Sequence, residues 1–264
     1  RAYETEYYSL AFTEWRKDVI GSYMLLIIIA AIVIVVLIVK FLGWAAKVNK
    51  RVSTDGRERK RFWEELIYGF YVIFHPFDGF YDLKHEKRGS VRASLVFIGL
   101  TILSFFYQGI GQGYVVNPTG GTSTIWSQAI SILVPLFLFV LANWCLTTLF
   151  DGEGSFKDIF VATTYSLAPL PLFVIISTIL TNVLVGDEGQ ITTLLITVAF
   201  IWMGLLLVLG MQVTHDYSMG KNIVTILATI VGMVFIMFIA LLFTSLISKM
   251  LSLVTTITSE LSYR

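Results

Sequence analysis

From Ala93 to Phe150 the chain runs fifty-eight residues without a charged side chain. One helix of that length would measure about 87 Å, whereas a bilayer's hydrocarbon core is ~30 Å thick. The run must therefore fold back on itself, and Asn117-Pro118-Thr119-Gly120-Gly121-Thr122 supplies the turn-forming residues for it. Two membrane spans follow, near 93–114 and 125–149. Composition agrees: 56% of residues are hydrophobic and 14% charged, against ~25% charged in a soluble domain. The mean hydropathy is +0.78. A single cysteine, Cys145, excludes an internal disulfide.

The same reading places further spans near 159–185, 191–213 and 222–248. Gly186-Asp187-Glu188-Gly189 and His215-Asp216-Tyr217-Ser218 divide them. Val19 to Val39 carries no charge and would measure about 31 Å as a helix, enough to cross once. It forms a first transmembrane helix within 19–44, with Trp44 as an interfacial anchor. The expected fold class is an all-α integral membrane protein with six transmembrane helices, one N-terminal span plus a five-span bundle over 93–248. Residues 1–18 read as an extracytoplasmic stub of a larger region. Residues 249–264, rich in Ser and Thr, read as an outer tail that continues the last helix by a turn or two.

Residues 40–92 carry twelve Lys and Arg against seven acids. The cluster Lys47, Lys50, Arg51, Arg57, Arg59, Lys60 and Arg61 lies beside a span, which points to anionic lipid at the cytoplasmic face rather than nucleic acid. Within 45–92, Phe62 to Phe74 is expected to form an amphipathic aromatic helix in the membrane interface, ended by Pro76; a groove for a partner helix is the alternative. With 40–92 inside, fourteen of the nineteen basic residues fall on that side. Both termini are then extracytoplasmic in a multi-pass cell-membrane protein.

The most informative stretch is Asn143 to Pro171. Asp151-Gly152-Glu153-Gly154-Ser155 has turn composition, and Ser155 suits the N-cap of a helix opening at Phe156, with Asp158 in its first turn. Pro169 and Pro171 interrupt that helix inside the membrane, and each removes a backbone donor. Thr163, Thr164, Tyr165 and Ser166 are the nearest side chains able to serve the freed carbonyls. The break reads either as a packed kink or as a broken helix lining a cavity; no charge accompanies it, which favours the kink.

Other motifs carry less. The glycines of Gln108-Gly109-Ile110-Gly111-Gln112-Gly113 end a span and suit close helix packing, not a nucleotide loop. His75, His85 and His215 fall on one side, near Asp78, Asp82 and Asp216, but no spacing matches a ligand pair. Cys145 is expected to be a buried, inert thiol. Asn143, Gln108, Gln112, Gln128, Asn182 and Gln212 are neutral and polar, suited to linking helices or to lining a path for a neutral solute.

The ordered set of motifs resembles the Yip (Ypt-interacting protein) membrane domain family, in its bacterial branch. It comprises His75-Pro76 with Phe77 and Phe80, the basic Lys84–Arg92 run, Asn143-Trp144, and Asp151 through Asp158. Tyr165-Ser166-Leu167-Ala168-Pro169, Asn182, Glu188, Trp202, His215-Asp216-Tyr217-Ser218 and Lys221 follow. The resemblance covers Phe62 to about Phe243, and its five spans correspond to the second through sixth. It implies a non-catalytic protein: eukaryotic members associate with small GTPases in vesicle traffic, and bacterial relatives accompany carbohydrate ABC importers.

The expected function is thus a membrane-embedded scaffold or accessory subunit of a membrane complex, with permease subunits of a carbohydrate ABC importer as possible partners. A transporter or channel for a neutral small solute is the alternative. No paired acid, zinc motif or nucleophile with a base supports an enzyme, and no cofactor is expected. The candidate structural or partner-contact residues are Asn143, Trp144, Asp151, Glu153, Tyr165, Pro169, Pro171 and His215.

Overall fold

The computed structural model describes residues 5–54, 62–114, 116–118, 124–184 and 188–262. The elements among them are all helices: α1 (Thr5–Thr54), α2 (Phe62–Phe74), α3 (Pro76–His85), α4 (Val91–Gly111), α5 (Ile125–Thr147), α6 (Phe156–Ser166), α7 (Pro169–Thr181), α8 (Gly189–His215) and α9 (Met219–Ser262). Among the described residues, five stretches are long and apolar enough to cross a membrane: α4, α5, α6 with α7, α8, and Met219–Ser259 of α9.

Local chemistry sets the helix ends. Ser90 caps α4 by accepting from the Ala93 N–H at 3.2 Å. Ser155 and Asp158 form a reciprocal capping box on α6, as the sequence predicts: Asp158 N donates to Ser155 Oγ and Ser155 N to Asp158 Oδ2. Asp151 and Asp216 adopt left-handed conformations, with φ of 47° and 55°. Each ends a helix through a six-residue hydrogen bond, Gly152 N to Thr147 O and Tyr217 N to Gln212 O. Asp tolerates that region better than most residues, which explains an Asp at both turns. α2 ends ahead of Pro76 as expected, and the proline opens α3, where its missing N–H is harmless.

The paired helices α6 and α7 occupy the middle of the bundle. Every residue from Ile159 to Pro171 is buried, and α4, α5 and α8 pack around them. Thr163, Thr164, Tyr165 and Ser166 lie within that buried run, and polar side chains of a membrane span are turned toward neighbouring helices. One end of the bundle is formed by α3 and the turns 86–90, 148–155 and 216–218; the far end holds the turns after α4 and α7. α3 lies across α8 and α6 at the first end. At the far end, Asn182 Nδ2 donates to Gly111 O at 2.8 Å and Gly113 N to Thr181 Oγ1 at 2.9 Å.

The proline break differs from expectation in its hydrogen bonding. The carbonyls that lose their donors to Pro169 and Pro171 are those of Tyr165 and Leu167. Each is taken by the amide three residues on, Ala168 N at 3.1 Å and Leu170 N at 2.9 Å. A single tightened turn suffices. The side chains of Thr163, Thr164 and Ser166 bond carbonyls farther back, at Ile159, Phe160 and Ala162, and Tyr165 points elsewhere.

Both terminal helices are longer than the sequence suggests. α1 starts at Thr5 and runs to Thr54, so the charge-free run is only its middle. Arg16 holds Glu188 at 2.6 and 2.9 Å at the far end, while Phe41 meets Phe70 of α2 edge to face at 5.5 Å. α9 continues to Ser262, well beyond a turn or two past Lys249, and is about 66 Å long. Its Ser and Thr side chains donate to carbonyls one turn back within the helix, so a polar tail need not end it. α9 packs on α5, where the buried Thr229 accepts from Asn143, and its buried Asn222 donates to Val208 O of α8 at 2.8 Å. From Met237 to Ser259 every residue is exposed.

Candidate functional site

The Gly152–Gly154 turn and His215 build one group from four parts of the chain. α8 ends at His215, and its side chain is buried beneath the turn that follows α5. His215 Nδ1 accepts from the Gly154 N–H at 3.3 Å, so Nε2 carries the proton and donates to Asn143 Oδ1 at 2.8 Å. Asn143 Nδ2 then donates to Thr229 Oγ1 at 3.1 Å, and Thr229 to Thr225 O at 2.7 Å. The chain of bonds runs turn, α8, α5, α9, with each donor facing an acceptor. It requires the neutral imidazole.

The glycines are needed for this approach. A Cβ on Gly152 would lie 2.4 Å from the Tyr217 hydroxyl and 2.5 Å from His215 Nδ1; one on Gly154 would lie 2.8 Å from the His215 ring. Tyr217 stacks on His215 at 5.0 Å, and Lys221 Nζ sits 4.8 Å from the Tyr217 ring. Glu153 is exposed and pairs with Lys84 of α3 at 3.0 Å; the Lys84 ammonium holds its carboxyl below the ordinary carboxylate range.

Beside this group lies a second one that the sequence did not single out. Glu65 of α2 is buried, accepts from Ser90 Oγ and faces Arg92 at 3.9 Å. Tyr165 reaches from α6 to donate to Glu65 O at 3.0 Å. Tyr68 donates to Asp82 Oδ2 at 2.8 Å, and the buried Arg88 contacts Glu86 at 2.7 Å and Asp82 at 3.5 Å. The Arg88 guanidinium also lies 5.3 Å from the Tyr68 ring. Burial pushes the Asp82 carboxyl above its ordinary value, although Tyr68 and Arg88 oppose the shift, and it raises the Tyr68 hydroxyl. Tyr68 follows Glu65 by one helical turn, which is the only local signal for the pair.

The eight candidate residues therefore do not form one site. Asn143 and His215 meet. Asp151 and Glu153 shape the turn over them, and Tyr165 serves the Glu65 group. Trp144 is exposed and packs edge to face on Phe156 at 5.7 Å. Cys145 is also exposed, contrary to expectation, because α5 turns Ala142 and Asn143 inward and so directs the next two residues out. His75 stacks on Tyr71 and His85 on Tyr81, each away from His215. Of the basic cluster, Lys47, Lys50 and Arg51 lie on the last turns of α1, with Lys47 exposed. Arg57, Arg59, Lys60 and Arg61 lie outside the described residues.

Pro169 and Pro171 are buried in the first turn of α7. The break is packed, yet Thr163, Leu167 and Leu170 beside it also wall a cavity of about 440 Å³. The far-end glycines serve close packing: a Cβ on Gly113 would lie 2.2 Å from Thr181 O.

Apolar helices of spanning length, tied through neutral polar side chains and capped at one end by a charged hairpin, define an α-helical multi-pass membrane protein. A model of the Yip1 domain family matches residues 70–250, and the chain belongs to that family. The match starts within α2 and ends within α9, leaving α1 outside it. No curated protein and no solved structure matches the chain.

Proposed function

We propose that this Yip1-domain protein is a non-catalytic scaffold or accessory subunit of a membrane complex. The observation that carries the reading is the outer half of α9: from Met237 to Ser259 every residue is exposed, and most are apolar. Helices associate in lipid through packing and interhelical hydrogen bonds, and this half offers a face for a neighbouring span. Polar side chains such as those of the His215–Asn143–Thr229 chain are spent in holding the bundle together.

In this reading α1 is a sixth span. Its contacts at both ends, Arg16 with Glu188 and Phe41 with Phe70, support that placement. Both termini then face outward from the cell membrane, and α2 lies in the inner interface beside the basic cluster and its anionic lipid. A permease of a carbohydrate ABC importer is the partner that the sequence resemblance suggests. A path for a neutral polar solute is the weaker reading, since the cavity beside the proline break is almost wholly apolar.

Photo-crosslinkable residues at Met237 and Phe243, introduced into the full chain in native membranes, test the proposal. Crosslinks to a permease or another integral membrane protein are expected. Crosslinks to lipid alone, with the protein migrating as a monomer in mild detergent, would sink it.

A further inference from the structure

We infer that the cavity between α5 and α8 is a binding site for one hydrocarbon chain of a membrane lipid, entered from the far-end leaflet. The cavity measures about 440 Å³, within the ~300–1,000 Å³ usual for ligand sites. Gln128, Ser131 and Phe139 line it from α5, Leu167 from the proline break, and Met203 and Leu207 from α8. No charged residue lines it.

Its hydroxyls offer little to a polar guest. Ser131 donates to Ser127 O at 2.8 Å, Thr101 to Phe97 O at 2.8 Å, and Thr163 to Ile159 O at 2.7 Å, each within its own helix. The wall is hydrocarbon in character, and an apolar cavity stays dry and takes apolar molecules. Left empty, a space of this size would forfeit packing contacts around its whole lining.

Depth and access identify the guest. From Gln128, in the first turn of α5, to Phe139 the helix rises about 16 Å. That is half of the ~30 Å hydrocarbon core, the reach of one leaflet. Gln128 and Ser131 lie toward the far-end mouth, and the floor is made by Phe139, Leu207 and Thr163, whose hydroxyl is already given to Ile159 O. α5 and α8 make little contact with one another compared with their contacts to α6, α7 and α9. α9 reaches the wall only at Met233 and is free of the bundle from Met237 onward. Beyond Met233 no residue of α9 lines the cavity, so the far-end part of its α5–α8 side faces lipid.

The proposal is independent of the scaffold reading. Its test uses the full chain in phosphatidylcholine vesicles doped with a phosphatidylcholine carrying a diazirine at the tip of one acyl chain. After irradiation, labelled peptides are mapped by mass spectrometry. Label should concentrate on Phe139, Leu207 and Met233. Ser131→Trp and Met203→Trp, which fill the cavity, should each cut that labelling several-fold. Ile130→Trp, on the outer face where the native residue is 60% exposed, should leave it unchanged. Label spread evenly over outward residues such as Phe137 and Leu141 would overturn the site, as would unchanged labelling in both filled variants. If the filled variants fail to accumulate, the wild-type map alone decides.

Discussion

His215 Nε2 lies 2.8 Å from Asn143 Oδ1, joining the last residue of α8 to the inner face of α5 seventy-two positions earlier. Because the Gly154 amide occupies Nδ1 and Thr229 receives the Asn143 amide, removing either side chain strands the other. Asn143→Leu and His215→Leu should each destabilise the protein by about 1–2 kcal/mol, the upper range for such bonds between membrane helices. The double variant should cost clearly less than the sum. Unfolding in mixed detergent measures all three; strict additivity would show that the two side chains act separately.

Gly113→Ala should be among the most damaging single-methyl changes in the bundle. Its Cβ would meet the Thr181 carbonyl and the Asn182 backbone, and backbone cannot swing aside as a flexible side chain can. Overpacking of this kind costs about 1–3 kcal/mol. Gly99→Ala and Gly204→Ala, where a Cβ meets nothing within 4 Å, should be neutral or slightly stabilising. Thermal unfolding of the three variants in detergent provides the comparison, and equal behaviour would contradict the close approach at Gly113.

Pro169→Ala should shift stability by no more than about 1 kcal/mol, because the carbonyl that the proline leaves bare already holds the Ala168 amide. Complex formation should survive. If the variant accumulates normally but loses its partners, the break serves docking; abundance and copurification measured together distinguish the outcomes.

Two carboxyls at the charged end should respond to pH with opposite sign. Asp82 is held above its ordinary value of 3.8, so the folded state keeps its proton longer. Its contribution is fully present below that value and is lost as pH rises through the higher folded value. Glu153 is held below its ordinary value of 4.5 by Lys84, so its contribution is present above 4.5 and is lost as pH falls. Asp82→Asn should flatten the decline in melting temperature above pH 3.8, and Glu153→Gln the decline below 4.5. The Glu153 effect should be small and vanish in high salt, since the side chain is exposed.

Arg16 and Glu188 place the start of α1 against the far end of the bundle. In a Cys145→Ser background, Ser9→Cys and Ser123→Cys should react with an impermeant thiol reagent in intact cells, and Ser53→Cys only after lysis. Labelling at Ser53 without lysis would reverse the orientation. Protection at Ser9 with labelling at Ser123 would remove α1 from the membrane.

Much of this architecture is written locally. The charge-free runs, the Ser155 cap and the end of α2 before Pro76 all depend on neighbours within a few residues. What depends on distant partners was not legible. Asn143 and His215 each stand out in the sequence, but only the packed bundle brings them into one hydrogen-bonded chain. Glu65 looks like one of two ordinary acids at a helix start, yet it is buried, its carboxylate met by Ser90 and its carbonyl by Tyr165, one hundred positions on. The reach of α9 was missed for a different reason: Ser and Thr read as solvent-facing, whereas in a helix they can bond the carbonyls of the preceding turn.

The enclosed position of α6 and α7 also dictates an order of assembly. α4 and α5 precede them on the ribosome and α8 follows, so the central span enters the membrane while one of its walls has yet to be synthesised. Until α8 arrives, the side bearing Ser177 faces lipid or the insertion machinery, because its hydroxyl donates to the Thr192 carbonyl of α8. Nascent chains stalled after Thr181 will thus display an unfinished surface in the membrane, and both α8 and α9 must emerge before Ser177 and Asn143 meet Thr192 and Thr229.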